Sequence, residues 1–201
     1  MTDKAKPVGR FIKPIRRLFN RGVDQQTSEV IDTLRHVSIF KQLSSSALQD
    51  LAEAVHVRDY KRDEFLYYER DPGLGMYVVQ RGRIRLLVED EAGAVHELRQ
   101  VGDHDFFGKL SLLGDHRRSE TAQALTETRV LGFFRPDLKN ILKRFPGSGA
   151  AIIEAIARNL AALESEIIRV LIEKDGKIDA MRMVDNAAAR VDRIATEAAV
   201  L

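Results

Sequence analysis

The sequence predicts an α+β protein: short antiparallel strands forming a barrel or sandwich in mid-chain, short amphipathic helices ahead of it, and a long helix behind it. Three observations carry this expectation. From about Val57 to Phe134, brief apolar runs at 65–68, 76–79, 84–88 and 129–134 alternate with turn signals at Asp71-Pro72-Gly73, Arg81-Gly82, Glu91-Ala92-Gly93 and Asp115-His116. Before them, Val30, Ile31, Leu34 and Val37, then Leu43, Leu48, Leu51, Ala52 and Val55, recur at helical spacing. After Pro136 the β pattern stops, and apolar residues advance in alternating steps of three and four.

Composition bounds the function. The chain has 201 residues and 22.7 kDa, with 44% apolar and 31% charged side chains, as in folded globular proteins. It holds no cysteine, which excludes disulfides, thiolate nucleophiles and cysteine-ligated metal centres, and leaves the redox compartment open. No apolar run approaches the roughly 20 residues a membrane span requires, and the N-terminus lacks an apolar signal-peptide core, so a cytoplasmic location is expected, peripheral to a membrane if the N-terminal arm docks there. The net charge of +2 is unevenly spread: residues 1–22 carry seven Lys/Arg and one acid, leaving the other 179 residues at −4.

The chain divides into a basic arm at 1–24, a strand-rich body at 25–146 with its N-terminal helices, and a C-terminal helical region at 147–201. In the arm, Phe11, Ile12, Ile15, Leu18 and Phe19 share one face of a helix, with Arg10, Lys13, Arg16, Arg17 and Arg21 largely elsewhere. Pro14 is tolerated only in a first turn, so such a helix starts near Lys13. Three readings fit: a flexible solvated tail, a helix docking on anionic lipid, nucleic acid or a partner through Arg10, Phe11, Lys13, Arg16, Arg17, Phe19 and Arg21, or a segment packed on the protein's own body. Ser44, Ser45 or Ser46 caps the second of the next two helices.

Beyond the strands, residues 137–145 read as a short helix ended by Pro146-Gly147. The long helix follows, with Ile153, Ile156, Leu160, Leu163, Ile167 and Val170, then Met181, Val184, Ala188 and Val191 along one stripe. That stripe predicts pairing with a second copy of the chain. It is interrupted where Lys174 and Lys177 occupy stripe positions around Gly176, which predicts a hinge or break.

The most informative stretch runs from Asp105 to Ala124. Gly108 permits close backbone approach, Gly108 through Ser111 open a short helical turn whose N–H groups can face an anion, and Arg118 lies ten residues after the glycine. This is a phosphate site in outline. Together with Val37-Ser-Ile-Phe-Lys-Gln-Leu-Ser44 and the glycine-bearing run from Asp71 to Leu86, it resembles the cyclic-nucleotide-binding domain family of bacterial catabolite activators, protein kinase A regulatory subunits and cyclic-nucleotide-gated channels, over residues 37–170.

The resemblance implies an antiparallel β-roll of double-stranded β-helix or jelly-roll type, flanked by short N-terminal helices and a long C-terminal dimerisation helix. It further implies a nucleotide site at Gly108, Lys109, Leu110, Ser111, Arg118, Ser119 and Thr121, a cyclic nucleotide (cAMP, cGMP or a cyclic dinucleotide) as ligand, and a homodimer that acts on a protein partner. In the family the residue after the cassette glycine is a glutamate that accepts the ribose 2′-hydroxyl, whereas here it is Lys109, which has three donors and no acceptor. Arg117 replaces a frequent proline, and Asp103 and His104 replace the usual proline and glycine. Lys109 suits either a ligand with more phosphate charge or an internal acid such as Glu120 or Asp115. Arg118 itself serves either an anion or a structural ion pair.

Other chemistry finds no support. The histidines at 36, 56, 96, 104 and 116 lack metal-ligand spacing, Asp103-His104-Asp105 reads as a surface loop, and neither a nucleophile elbow nor a Walker-type loop is present. No metal and no catalysis are expected. The residues after Leu171 continue as one alanine-rich helical pattern with no helix-turn-helix, so sequence-specific DNA reading is not expected either.

Overall fold

The computed structural model of the chain describes residues 16–198, and the side chains of residues 25–194. Helix α1 spans Arg16–His36 and crosses the boundary drawn at residue 24 without a break. The docking residues Arg10, Phe11 and Lys13 lie outside the described residues, while Arg16, Arg17, Phe19 and Arg21 fall on the first turns of α1. A 3₁₀ turn at Ser38–Phe40 leads to α2 (Ser45–Ala54), capped by Ser44, whose Oγ accepts from the Ala47 amide at 3.2 Å.

Eight strands follow: β1 His56–Tyr60, β2 Phe65–Tyr67, β3 Gly75–Arg81, β4 Ile84–Glu89, β5 Val95–Val101, β6 Phe106–Phe107, β7 Thr121–Ala124 and β8 Thr128–Phe134. They form two four-stranded antiparallel sheets in the orders β1-β8-β3-β6 and β2-β7-β4-β5, which is the β-roll. A one-turn helix, α3 (Leu110–Leu113), sits between β6 and β7.

The central strands of the first sheet, β3 and β8, are buried on both faces over most of their length, and period-two alternation sorts their residues. On β3 and β8, Met76, Val78, Leu131 and Phe133 join α1, α2 and the C-terminal helices in one apolar cluster with Leu34, Phe40, Leu51, Leu112, Ile152 and Ile156. Val79 and Val130 point the other way and meet Tyr67, Ile84, Leu86, Val101, Phe107 and Ala122 inside the roll. The roll therefore has a helical floor and a second core of its own.

Helix α4 (Arg135–Arg144) starts where Asp137 Oδ2 accepts from the Phe134 amide at 3.1 Å, and it stops before Pro146, which opens α5 (Pro146–Asp175). The expected break falls at Gly176, with φ 83° and ψ 156°, a region open essentially to glycine alone. After it, α6 (Lys177–Ala198) turns back along α5: Leu163 and Val191 line one groove, although 28 residues of straight helix would hold them roughly 40 Å apart. Ala180 is fully buried at the base of this hairpin. The predicted stripe is thereby divided. Ile153, Ile156 and Leu160 pack on the domain's own core, whereas Leu163 and Ile167 stay exposed in the groove shared with α6, and Val170 is exposed as well.

Candidate anion-binding site

The cassette is built where β6 ends. Gly108 adopts φ 71°, a left-handed conformation, and a Cβ at this position would collide with Arg118 Nη1. Glycine thus serves two needs at once, the turn into α3 and the close passage of the arginine. From α3 the chain returns past the Asp71-Pro72-Gly73 loop, and three backbone bonds fix it there: the Arg118 amide donates to Asp71 O at 2.9 Å, Arg118 O accepts from the Arg70 amide at 2.8 Å, and the Gly73 amide donates to His116 O at 3.1 Å. Ser111 Oγ also donates to His116 O, at 3.2 Å.

This frame drives Arg118 inward until it is only 5% exposed. Its guanidinium lies over the Tyr67 ring at 4.1 Å from the centroid and over Tyr77 at 5.6 Å, and Nη1 donates to Gly108 O at 3.3 Å. Among the described residues Nε has no hydrogen-bond partner. Among the described residues no carboxylate forms an ion pair with Arg118 or with Lys109. The acids named as internal partners are engaged elsewhere. Glu120 accepts from Tyr67 Oη at 2.9 Å and from Ser119 Oγ, and Asp115 pairs with Arg135 at 3.1 Å.

A buried cation without a counter-charge is unfavourable unless something else compensates it. The tyrosine faces supply part of that, since a desolvated cation–π contact contributes about 2 kcal/mol. Burial pushes the Tyr67 phenol well up, reinforced by Glu120, and burial also raises Tyr77, so both rings stay neutral and their faces remain available to the guanidinium.

Lys109 takes a different course. Its ammonium donates to Asn159 Oδ1 on α5 and lies 5.6 Å from the Phe106 ring centroid. Partial burial, and then the neighbouring Arg99, hold its pKa below the usual lysine value. The cassette is thereby tied to the C-terminal helix by a hydrogen bond to a neutral amide.

Six of the seven expected site residues, Gly108, Lys109, Leu110, Ser111, Arg118 and Ser119, line one cavity of about 620 Å³. Thr121 does not: it sits on β7, and its Oγ1 accepts from the Glu69 amide at 2.9 Å. The cavity also takes in Arg99 from β5 and Leu163 from α5. Tyr67, Asn159 and Leu163 escaped sequence reasoning because each reaches the site from an element distant along the chain, and Arg99 because it stands on an exposed, polar strand. Among the described residues no group of His, Asp or Glu is arranged to hold a metal ion. Asp103 Oδ1 accepts from the Gly82 amide at 2.8 Å, and His104 adopts a left-handed turn conformation.

Comparison with known proteins agrees with this geometry. The cyclic nucleotide-binding domain profile matches residues 57–145. The Cyclic AMP receptor protein of Thermus thermophilus is 33% identical over 122 residues, which are 61% of this chain and 51% of that protein. A CRP-like cAMP-activated global transcriptional regulator of Mycobacterium tuberculosis is 25% identical over 129 residues, 64% of this chain and 58% of that protein. The chain thus spans little more than half the length of these curated relatives. Among solved structures, the N-terminal domain of a transcriptional regulator from Streptomyces coelicolor superposes with TM-score 0.62 at 30% identity, covering 68% of this chain and 95% of that one. The chain belongs to the cyclic nucleotide-binding domain family.

Proposed function

We propose that the chain is a non-enzymatic regulatory module in which the phosphate of a nucleotide binds at Arg118 and the first turn of α3, and the binding alters how the α5–α6 hairpin packs for a partner to read. The observation that carries this is the Arg118 guanidinium: buried, stacked on Tyr67, and left, among the described residues, with an unpartnered Nε and no ion pair. An anion supplies the missing counter-charge. At the start of α3 the Ser111 and Leu112 amides already donate to Gly108 O at 3.3 Å and Lys109 O at 3.0 Å, so the anion rests chiefly on Arg118. Leu163 of α5 lines the same cavity, so occupancy and helix position are coupled through direct contact.

With Lys109 in place of a carboxylate, the ribose 2′-hydroxyl loses its acceptor, which weakens a cyclic mononucleotide by roughly 1.5–3 kcal/mol, about tenfold to more than a hundredfold. Calorimetric titration with cAMP and cGMP tests the reading. Heat that disappears in Arg118→Ala supports it; no heat with any nucleotide defeats it.

One observation favours a second reading. The bond from Lys109 to Asn159 fastens the cassette to α5 with no ligand involved, as a ligand-independent adaptor would require. Such a protein docks through its basic arm on a partner or membrane surface, and deleting residues 1–22 abolishes that docking while leaving the core folded. In both readings the exposed apolar stripe of α5 and α6 pairs with a second copy in the cytoplasm, which light scattering checks as a dimer mass.

A further inference from the structure

We infer that Lys109 makes this cavity select nucleotides carrying two phosphoryl groups over cyclic mononucleotides, an inference that rests on the proposed anion site at Arg118. Two cations share one cavity, and neither forms an ion pair among the described residues, although Asp105 and Glu120 also line it. Arg118 is buried with Nε unpartnered, and Lys109, which follows Gly108 in the chain and lines the same cavity, offers its ammonium to the Asn159 amide oxygen and the Phe106 ring. Arg99 adds a third positive charge at the exposed rim and likewise forms no ion pair among the described residues.

The acids that could offset them are turned to other work. Glu120 holds Tyr67 Oη and Ser119, and Asp105 Oδ2 accepts from the Gly102 amide at 2.9 Å. A cyclic mononucleotide brings one negative charge, which suffices for Arg118 and leaves Lys109 and Arg99 facing each other. A second phosphoryl group compensates Lys109 as well. A volume of about 620 Å³ lies in the middle of the range for small-molecule sites and leaves room for it.

The neutral partner of Lys109 makes this exchange easy. An amide oxygen is a weaker acceptor for an ammonium than a phosphoryl oxygen, because both bonds are charge-assisted but only the phosphoryl group adds the attraction of a net negative charge. The ligand draws Lys109 from Asn159, so two-phosphoryl ligands loosen the cassette from α5 and cyclic mononucleotides do not.

The test is a calorimetric titration of the full chain with cAMP, cyclic di-AMP and adenosine 3′,5′-bisphosphate, which share a base and differ in phosphoryl count and linkage. At least one two-phosphoryl nucleotide is expected to bind tenfold or more tightly than cAMP, and which of the two does so distinguishes a cyclic dinucleotide from an open bisphosphate. Lys109→Glu is expected to reverse the order. Lys109→Gln, which keeps a donor for Asn159 but no charge, is expected to bring the preference within threefold. Binding of cAMP as tight as that of both others, or a preference that survives both variants, overturns the inference. If cAMP alone binds and Arg118→Ala abolishes it, only this inference falls; if no nucleotide binds, the proposed function falls with it.

Discussion

Arg118 and Arg129 are arginines of the same β-roll, and their surroundings are opposite. Arg129, on β8, meets Asp59 of the adjacent β1 in a two-point bond, Nε to Oδ1 at 2.7 Å and Nη2 to Oδ2 at 2.9 Å, with both side chains open to water. Arg118 is enclosed, lies against two tyrosine rings and forms no ion pair among the described residues. The fold thus gives Arg129 a paired counter-charge, while Arg118 is left without an ion pair among the described residues. Exposed pairs contribute little, and unpaired buried cations oppose folding, so the second arrangement is intelligible as provision for a ligand.

The largest expected contrast comes from Arg118→Met. Nucleotide binding is lost by a hundredfold or more, yet unfolding in denaturant shifts by less than about 1 kcal/mol, because an apolar side chain of similar length fills the space over Tyr67 without a charge to desolvate. A loss of several kcal/mol would make Arg118 a structural residue. Gly108→Ala should affect both properties, destabilising by about 2 kcal/mol through its left-handed φ of 71° and displacing Arg118 from its seat. Gly176→Ala carries comparable strain with open space around the new Cβ, so hydrogen exchange should rise across α6 while the roll stays protected.

The smallest effect belongs to the outer pair. The hydrogen bond from Arg129 holds the Asp59 carboxyl below its usual value of 3.8. A depressed folded-state pKa gives stability that is present above the ordinary carboxylate value and lost as pH falls through the lower folded value. Asp59→Asn should therefore cost about 0.5 kcal/mol at neutral pH, less in high salt, and nothing in strong acid. Lys109 has the opposite sign. With its pKa held down by burial and by Arg99, its contribution to anion binding should fade as pH rises at a lower pH than for an exposed lysine, and Lys109→Gln should flatten that limb of the affinity profile.

How far the sequence reveals this arrangement varies by element. Strands β3 and β8 are readable because two-sided burial makes them short apolar runs, and β4 because its run Ile84–Val88 is mostly apolar although only Ile84 and Leu86 are buried. Strand β5, Val-His-Glu-Leu-Arg-Gln-Val, is exposed over most of its length at a sheet edge, and polar edge strands carry no such run. The break at Gly176 is readable from glycine between two lysines; the return of α6 along α5 is not, since its direction depends on tertiary packing. For the same reason one continuous stripe reads as an intersubunit seam although its first half, Ile153 to Leu160, packs within the domain.

At the site, the glycine frame and Arg118 follow from local spacing. The partners that decide their chemistry do not, because Tyr67 lies 51 residues before Arg118 and Asn159 lies 50 residues after Lys109. The sequence offered the two cations either an anionic ligand or internal ion pairs. The fold supplies an aromatic face for one and an amide oxygen for the other.

The central claim, that the orphaned Arg118 donor awaits an anion, is tested most directly by the Nε–H resonance of Arg118 in a nitrogen-15 spectrum, followed as cAMP, cyclic di-AMP or adenosine 3′,5′-bisphosphate is added. The predicted result is a saturable shift of that resonance with slowed solvent exchange, absent in Arg118→Met. A resonance that stays unmoved at nucleotide concentrations that saturate calorimetric binding would contradict the claim.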